Sequence, residues 1–153
     1  MNAVIDTNLS PADGLAPVYS QYPLEVTRAD GVWLHTRDGR RVLDLYGGHA
    51  VAALGYGHRG WLQALTQQAG SAAFQSNAVA MEVRARAAQR LLQFAQLPLD
   101  SVFFINSGAE ANENAFKMAF KMRAGRTHIA AIEHSFHGRT AAAAATTWGA
   151  AAK

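Results

Sequence analysis

Two short segments hold the residues best suited to chemistry. The first is Phe103-Phe-Ile-Asn-Ser-Gly-Ala-Glu-Ala-Asn-Glu113. An apolar run there turns at Ser107-Gly108 straight into a helical pattern. The N–H groups of Gly108, Ala109 and Glu110 open that helix without intrahelical acceptors. They carry the positive end of the helix dipole and so favour a phosphate. Gly108 permits close approach, and Ser107 adds a hydroxyl donor. The same residues also read as a plain N-cap, with Ser107 capping and Glu110 completing a capping box three residues on. The pattern leaves both readings open. No G-x-G-x-x-G follows the run, so the signal is less specific than a dinucleotide fingerprint.

The second segment is His134-Ser-Phe-His-Gly-Arg-Thr140. It follows the next apolar run, which places it at the same carboxyl-end edge as Ser107-Gly108. Ligands sit at that edge in open α/β sheets. Phe136 offers an aromatic face to a planar ligand, although Phe is more often core. Arg139 suits a carboxylate held bidentately, although Arg is more often a solvated or paired surface group. His134 and His137 lack a suitably spaced acidic partner, so no metal site is expected.

Elements must hold these segments in place. Residues 101–105 form a continuous apolar run, expected as a strand buried on both faces. Residues 109–123 read as a helix. Glu110 and Glu113 sit near its start and Lys117, Lys121 and Arg123 toward its end, matching the helix dipole. Gly125 is the expected stop. Residues 128–132 read as a second buried strand. Strand, turn, helix, strand is a βαβ unit with a parallel sheet. A sheet of so few strands leaves faces and edges uncovered, and nothing in 148–153 reads as a covering helix. The segment therefore reads as the start of a larger domain.

Upstream, residues 24–29, 32–35 and 41–45 read as strands of a meander, with Asp30-Gly31 and Asp38-Gly39 as turns. Residues 1–18 read as an arm punctuated by Ser10, Pro11, Gly14 and Pro17. Residues 46–57 form a glycine-rich loop. Residues 61–69 read as a short helix. Residues 81–95 read as a longer one, ended by Pro98, with Met81, Ala85, Ala88, Leu92 and Ala95 on one core-facing stripe.

Composition narrows the class. The chain has 153 residues, of which 50% are apolar. Alanine supplies 32 of those positions, so bulky core-forming content is lower than it first looks. A compact chain of this size buries roughly 70% of its unfolded surface, enough for a real core. Cysteine is absent, which removes disulfides, thiol catalysis and cysteine-ligated metals. It also fits a reducing cytoplasm. The net charge is +3, but the Lys and Arg residues are scattered, so no nucleic-acid footprint is expected. Neither a signal peptide nor a membrane-spanning run is seen.

Taken together, the motifs resemble the N-terminal part of class III, fold-type I pyridoxal-phosphate aminotransferases, in particular the acetylornithine subgroup. The resemblance runs from about Ala16 to about Thr140. It rests most on Asn106-Ser-Gly-Ala-Glu-Ala-Asn-Glu113 and Ser135-Phe-His-Gly-Arg-Thr140. Gly31-Val-Trp-Leu, Val42-Leu-Asp-Leu45, Gly47-Gly-His-Ala-Val51 and Gly57-His58 add weaker matches. At Arg59-Gly60 the chain departs from the family, which usually has a proline after the histidine.

The resemblance implies an α/β fold in two parts. Residues 1–75 would be arm, β-meander and glycine-rich loop, belonging to a small domain and linker. Residues 76–153 would be the first, incomplete part of the large cofactor-binding domain. It implies pyridoxal 5'-phosphate as cofactor, with Ser107, Gly108 and Ala109 around its phosphate and Phe136 on its ring. Arg139 would hold the α-carboxylate of the amino donor. The glycine-rich loop would lie near the active site and subunit interface. The implied reaction moves an amino group from N-acetylornithine to 2-oxoglutarate, in a cytoplasmic homodimer of arginine biosynthesis.

Family members are more than twice this length, and their Schiff-base lysine lies beyond the matching segment. Lys117, Lys121 and Lys153 match no such position, so no catalytic residue is assigned and the chain alone is expected to be inactive. The alternatives are another class III donor (ornithine, succinylornithine, succinyldiaminopimelate or 4-aminobutyrate), a non-catalytic short product, and a nicotinamide-dinucleotide domain, which lacks its glycine fingerprint.

Overall fold

Three short strands open the described chain: β1 (Val26–Asp30), β2 (Trp33–Thr36) and β3 (Arg41–Leu43). They form an antiparallel meander in the order β1-β2-β3, as the two Asp-Gly turns predict. Trp33 pairs with both Asp30 and Leu43, and the Arg41 guanidinium lies 3.8 Å from the centre of the Trp33 ring. These observations come from a computed structural model that describes residues 14–16 and 18–149. Most of the expected arm, and Lys153, lie outside the described residues.

The glycine-rich loop folds back on the meander. Gly31 and Tyr56 exchange both backbone hydrogen bonds, at 2.9 and 2.7 Å. Inside the loop, α1 (Gly47–Ala50) is a single left-handed turn: Gly47, Gly48, His49 and Ala50 all have φ near +60°. His49 and Ala50 carry a Cβ, so each costs on the order of 1–3 kcal/mol in that region. Asp44 holds the entry to the turn. Its Oδ1 accepts the Tyr46 and Gly47 N–H groups at 3.0 and 2.8 Å, and its Oδ2 accepts the Tyr56 hydroxyl at 2.7 Å. The Gly47 bond, then the Tyr56 bond, hold the Asp44 carboxyl below its usual range.

Helix α2 (Arg59–Ala72) starts at His58, whose Nδ1 accepts the Trp61 N–H at 3.1 Å. Helix α3 (Glu82–Ala95) ends before Pro98, because Gln96 turns into the left-handed region at φ 50°. On its expected core stripe Met81, Ala88, Leu92 and Ala95 are half-buried, and Ala85 is exposed. Helices α4 (Gly108–Met122) and α5 (Ala141–Thr146) follow. None of the described helices is long and apolar enough to cross a membrane. The chain divides between Val79 and Ala80 into two compact units.

Two expectations need correction. Residues 101–105 and 128–132 form no strands, and among the described residues only β1, β2 and β3 pair. Phe103, Phe104, Ile129 and Ile132 are exposed, so neither run is buried on both faces. An apolar run favours extended backbone, but a ladder needs a second strand alongside it, and among the described residues neither run has one. Among the described residues the expected core is also missing. Thr36, Gly138, Ala143 and Thr147 are the buried residues among those described, and none is a bulky hydrophobe. Among the described residues, the well-packed element pairs are β1 on β2, β2 on β3 and α4 on α5. Phe74 and Phe94 are among the large apolar residues left exposed.

Candidate functional site

The N-terminus of α4 is built from its own sequence. Ser107 is extended at φ −152° and ψ 159°, and its Oγ accepts the Glu110 N–H at 3.2 Å. The capping reading is therefore realised in part. The return arm differs from a standard box, because Glu110 Oε2 accepts the Asn106 N–H and the Ser107 hydroxyl, each at 3.0 Å. The Gly108 and Ala109 N–H groups, at the first two helical positions, have no acceptor within the helix.

The segment 134–140 returns to this helix start. Gly138 is buried at φ +133° and packs against Ala109. A Cβ at Gly138 would lie 2.5 Å from the Ala109 Cβ and 3.1 Å from the Ala143 Cβ. Gly108, Ala109, Asn112, Phe136, His137, Gly138 and Arg139 thereby line one open cleft of about 350 Å³. Four of the five expected site residues share that lining. Ser107 stands just outside it, as the helix cap. Phe136 is 58% exposed, so it is not a core residue. The Arg139 guanidinium carbon lies 5.0 Å from the centre of the Phe136 ring. The cleft thus brings together an aromatic face, a cation and the first two residues of α4.

The loop is held from behind by α5 and Thr147. The Thr147 Oγ accepts the His137 N–H at 2.9 Å and lies 2.9 Å from the Ala143 carbonyl. Trp148 donates its N–H to the Ser135 carbonyl at 2.9 Å. The His137 Nε2 is 3.1 Å from the Ser135 Oγ, and its ring meets Phe116 at 6.4 Å. Both ring contacts and backbone ties therefore orient residues 135–139.

Sequence reasoning missed α5 and the use of Glu113. The Thr140-then-alanine pattern at 140–145 was a readable helix start: an N-cap residue followed by a strong helix former. Thr140, however, makes no cap bond of its own. It donates its hydroxyl to Glu113 Oε1 at 2.7 Å, and the same oxygen accepts the Ala142 and Ala143 N–H groups at 2.8 and 3.1 Å. Glu113 therefore caps α5 from across the unit. The Thr140 hydroxyl, followed by the Ala143 amide, holds its carboxyl below the ordinary value of 4.5.

That depression has a sign. The carboxylate tie is complete above pH 4.5 and is lost as pH falls through the lower folded-state value. Amide exchange at Ala142 and Ala143, corrected for its intrinsic pH dependence, should speed up on acidification below pH 4.5 in the native chain. In Glu113→Gln that acid limb should vanish. An identical limb in the variant would show that another group drives it.

The protein-family model described as aminotransferase class-III matches residues 15–153. The chain is 37% identical over 140 residues to acetylornithine aminotransferase 1 of Bordetella parapertussis, covering 89% of this chain and 35% of the relative. It is 42% identical over 134 residues to acetylornithine aminotransferase of Rhodobacter capsulatus, covering 84% and 34%. Among solved structures, it resembles taurine:2-oxoglutarate aminotransferase from Bifidobacterium kashiwanohense in complex with PLP and glutamate. That match has a TM-score of 0.78 and 32% identity, over 84% of this chain and 29% of the other. The omega transaminase of Pseudomonas jessenii, in complex with PMP, matches at a TM-score of 0.79 and 25% identity, over 86% and 30%. The chain thus spans about a third of the length of these relatives.

Proposed function

Because this chain belongs to the class-III aminotransferase family and has the α/β fold of the fold-type I transferases, we propose that it grips the cofactor phosphate and the substrate carboxylate of a pyridoxal-phosphate-dependent transaminase. The observation that carries this reading is the contact of Gly138 with Ala109, which brings Phe136 and Arg139 to the cleft at the start of α4.

The residues present fit the cofactor. Gly108 and Ala109 offer N–H groups at a helix start, where a phosphate is favoured. Ser107 can turn its hydroxyl from Glu110 to the phosphate. Phe136 supplies an exposed face for the ring. When bound, pyridoxal phosphate would supply an electron sink for negative charge developing at the carbon that bears the transferred amino group. The chain's own residues bind and orient. Gly108 and Ala109 would donate to the phosphate, Phe136 would offer its face to the ring, and Arg139 would hold the α-carboxylate. Lys117 and Lys121 are exposed on α4 and do not line the cleft, so neither is given a proton-transfer role.

N-acetylornithine is the amino donor we favour, because the Bordetella parapertussis and Rhodobacter capsulatus relatives carry acetylornithine in their names. The favoured acceptor is 2-oxoglutarate, giving glutamate, as a step of arginine biosynthesis in a cytoplasmic homodimer. Residues 76–153 would then belong to the large cofactor-binding domain, and residues 1–75 to the small domain and its linker.

The test is a titration of the 153-residue chain with pyridoxal phosphate, and separately with pyridoxal, followed at the Gly108 and Ala109 amide resonances. Saturable shifts are expected with pyridoxal phosphate. They should be at least about tenfold weaker with pyridoxal, given a charge-assisted phosphate contact. No shift with either compound sinks the reading.

A further inference from the structure

We propose that Asn112 and Glu113 are positioning residues, which clamp the loop on both sides of Gly138-Arg139 and so set Arg139 at a fixed distance from the start of α4. The inference rests on the reading of the cleft given above, and deepens it.

The clamp has two jaws. Asn112 Nδ2 donates to the His137 carbonyl at 2.6 Å, immediately before Gly138. Glu113 Oε1 accepts the Thr140 hydroxyl, immediately after Arg139, together with the Ala142 and Ala143 N–H groups. Only Gly138 and Arg139 lie between the jaws. Gly138 is itself wedged against Ala109, so the Arg139 backbone has little room to shift.

The jaws also have a fixed relation to the phosphate donors. Asn112 follows Gly108 by four residues, and Glu113 follows Ala109 by four. Residues so spaced are neighbours on one helix face. One helical turn rises about 5.4 Å. The distance from the Gly108 and Ala109 N–H groups to the Arg139 anchor is thus set by a rigid turn of α4, while the loop supplies the side chain. The cofactor phosphate and the substrate carboxylate are the two ends that this turn would hold apart. Neither Asn112 nor Glu113 needs to touch either one.

The experiment uses the labelled 153-residue chain and its Glu113→Ala, Glu113→Gln and Asn112→Ala variants. Three quantities are read: the Arg139 Nε–H resonance, amide exchange at Ala142 and Ala143, and titrations with glutarate and with inorganic phosphate. In Glu113→Ala, exchange at Ala142 and Ala143 should accelerate at least about tenfold, and glutarate binding should weaken about tenfold, as expected for lost charged hydrogen bonds. The Arg139 resonance should move toward its unfolded position. The phosphate response at Gly108 and Ala109 should stay within about twofold, since that end of the helix is untouched. Glu113→Gln keeps a carbonyl oxygen and should recover part of the glutarate loss. Asn112→Ala should displace the Arg139 resonance with less effect on Ala142.

An unchanged Arg139 resonance in Glu113→Ala and Asn112→Ala would overturn the proposal. So would equal losses of glutarate and phosphate response across all three variants, which is the signature of a merely structural role. Should Glu113→Ala fail to fold, Glu113→Gln and Asn112→Ala decide by the same two criteria. If the clamp behaves as expected but the native chain binds no glutarate, the positioning stands and the carboxylate role of Arg139 falls.

Discussion

Gly138→Ala is expected to detach the Phe136–Arg139 loop from α4. The added methyl would meet the Ala109 Cβ at 2.5 Å and its Cα at 2.9 Å. Neither neighbour has a rotamer through which to escape, so backbone must move. The φ of +133° is also a conformation that residues with a Cβ rarely adopt. Overpacking and backbone strain together should cost about 3 kcal/mol. That is a large share of the stability of a small domain. Hydrogen exchange should show the amides of α5 and Thr147 losing protection, and pyridoxal phosphate should shift Gly108 and Ala109 far less. A variant that keeps native protection at Ala143 and Thr147 would show that the Gly138–Ala109 contact is not what assembles the cleft.

The second large effect is expected at Arg139. Its side chain is exposed at the cleft rim, beside the Phe136 ring, so removing it leaves no cavity in the fold. Arg139→Ala should weaken binding of 2-oxoglutarate, or of glutarate, about a hundredfold, as for loss of a bidentate charged pair. Arg139→Lys keeps the charge but not the planar fork, and should lose about tenfold. The phosphate response at Gly108 and Ala109 should persist in both. Calorimetry of the native chain and the two variants reads the difference. Equal dicarboxylate affinity in all three would remove Arg139 from the site.

These two residues were not equally legible. Arg139 stands in a motif whose residue types suggest carboxylate binding on sight. Gly138 sits in the same motif, but its importance lies in Ala109, 29 positions earlier, and no local pattern announces that approach. Glu113 was read as a dipole partner within α4, because its position near the helix start accounts for that locally. Its actual partners, Thr140, Ala142 and Ala143, become visible only when α5 is in place. Residues 101–105 and 128–132 failed in the opposite direction. Their composition predicts buried strands, yet burial and pairing depend on neighbours that the run itself does not contain.

The chain by itself determined what short-range interactions govern. The Asp-Gly turns set the meander, Ser107 and Glu110 set the start of α4, and the two motifs marked the family. Each depends on residues within about four positions, where backbone geometry leaves few arrangements. Tertiary structure alone decided where the loop lands, that Glu113 caps a second helix, and that the apolar runs remain exposed. Those outcomes depend on contacts made across many residues of intervening chain. Closing such a loop costs entropy that only packing at its ends can offset. At Gly138 the absence of a side chain lets that packing form.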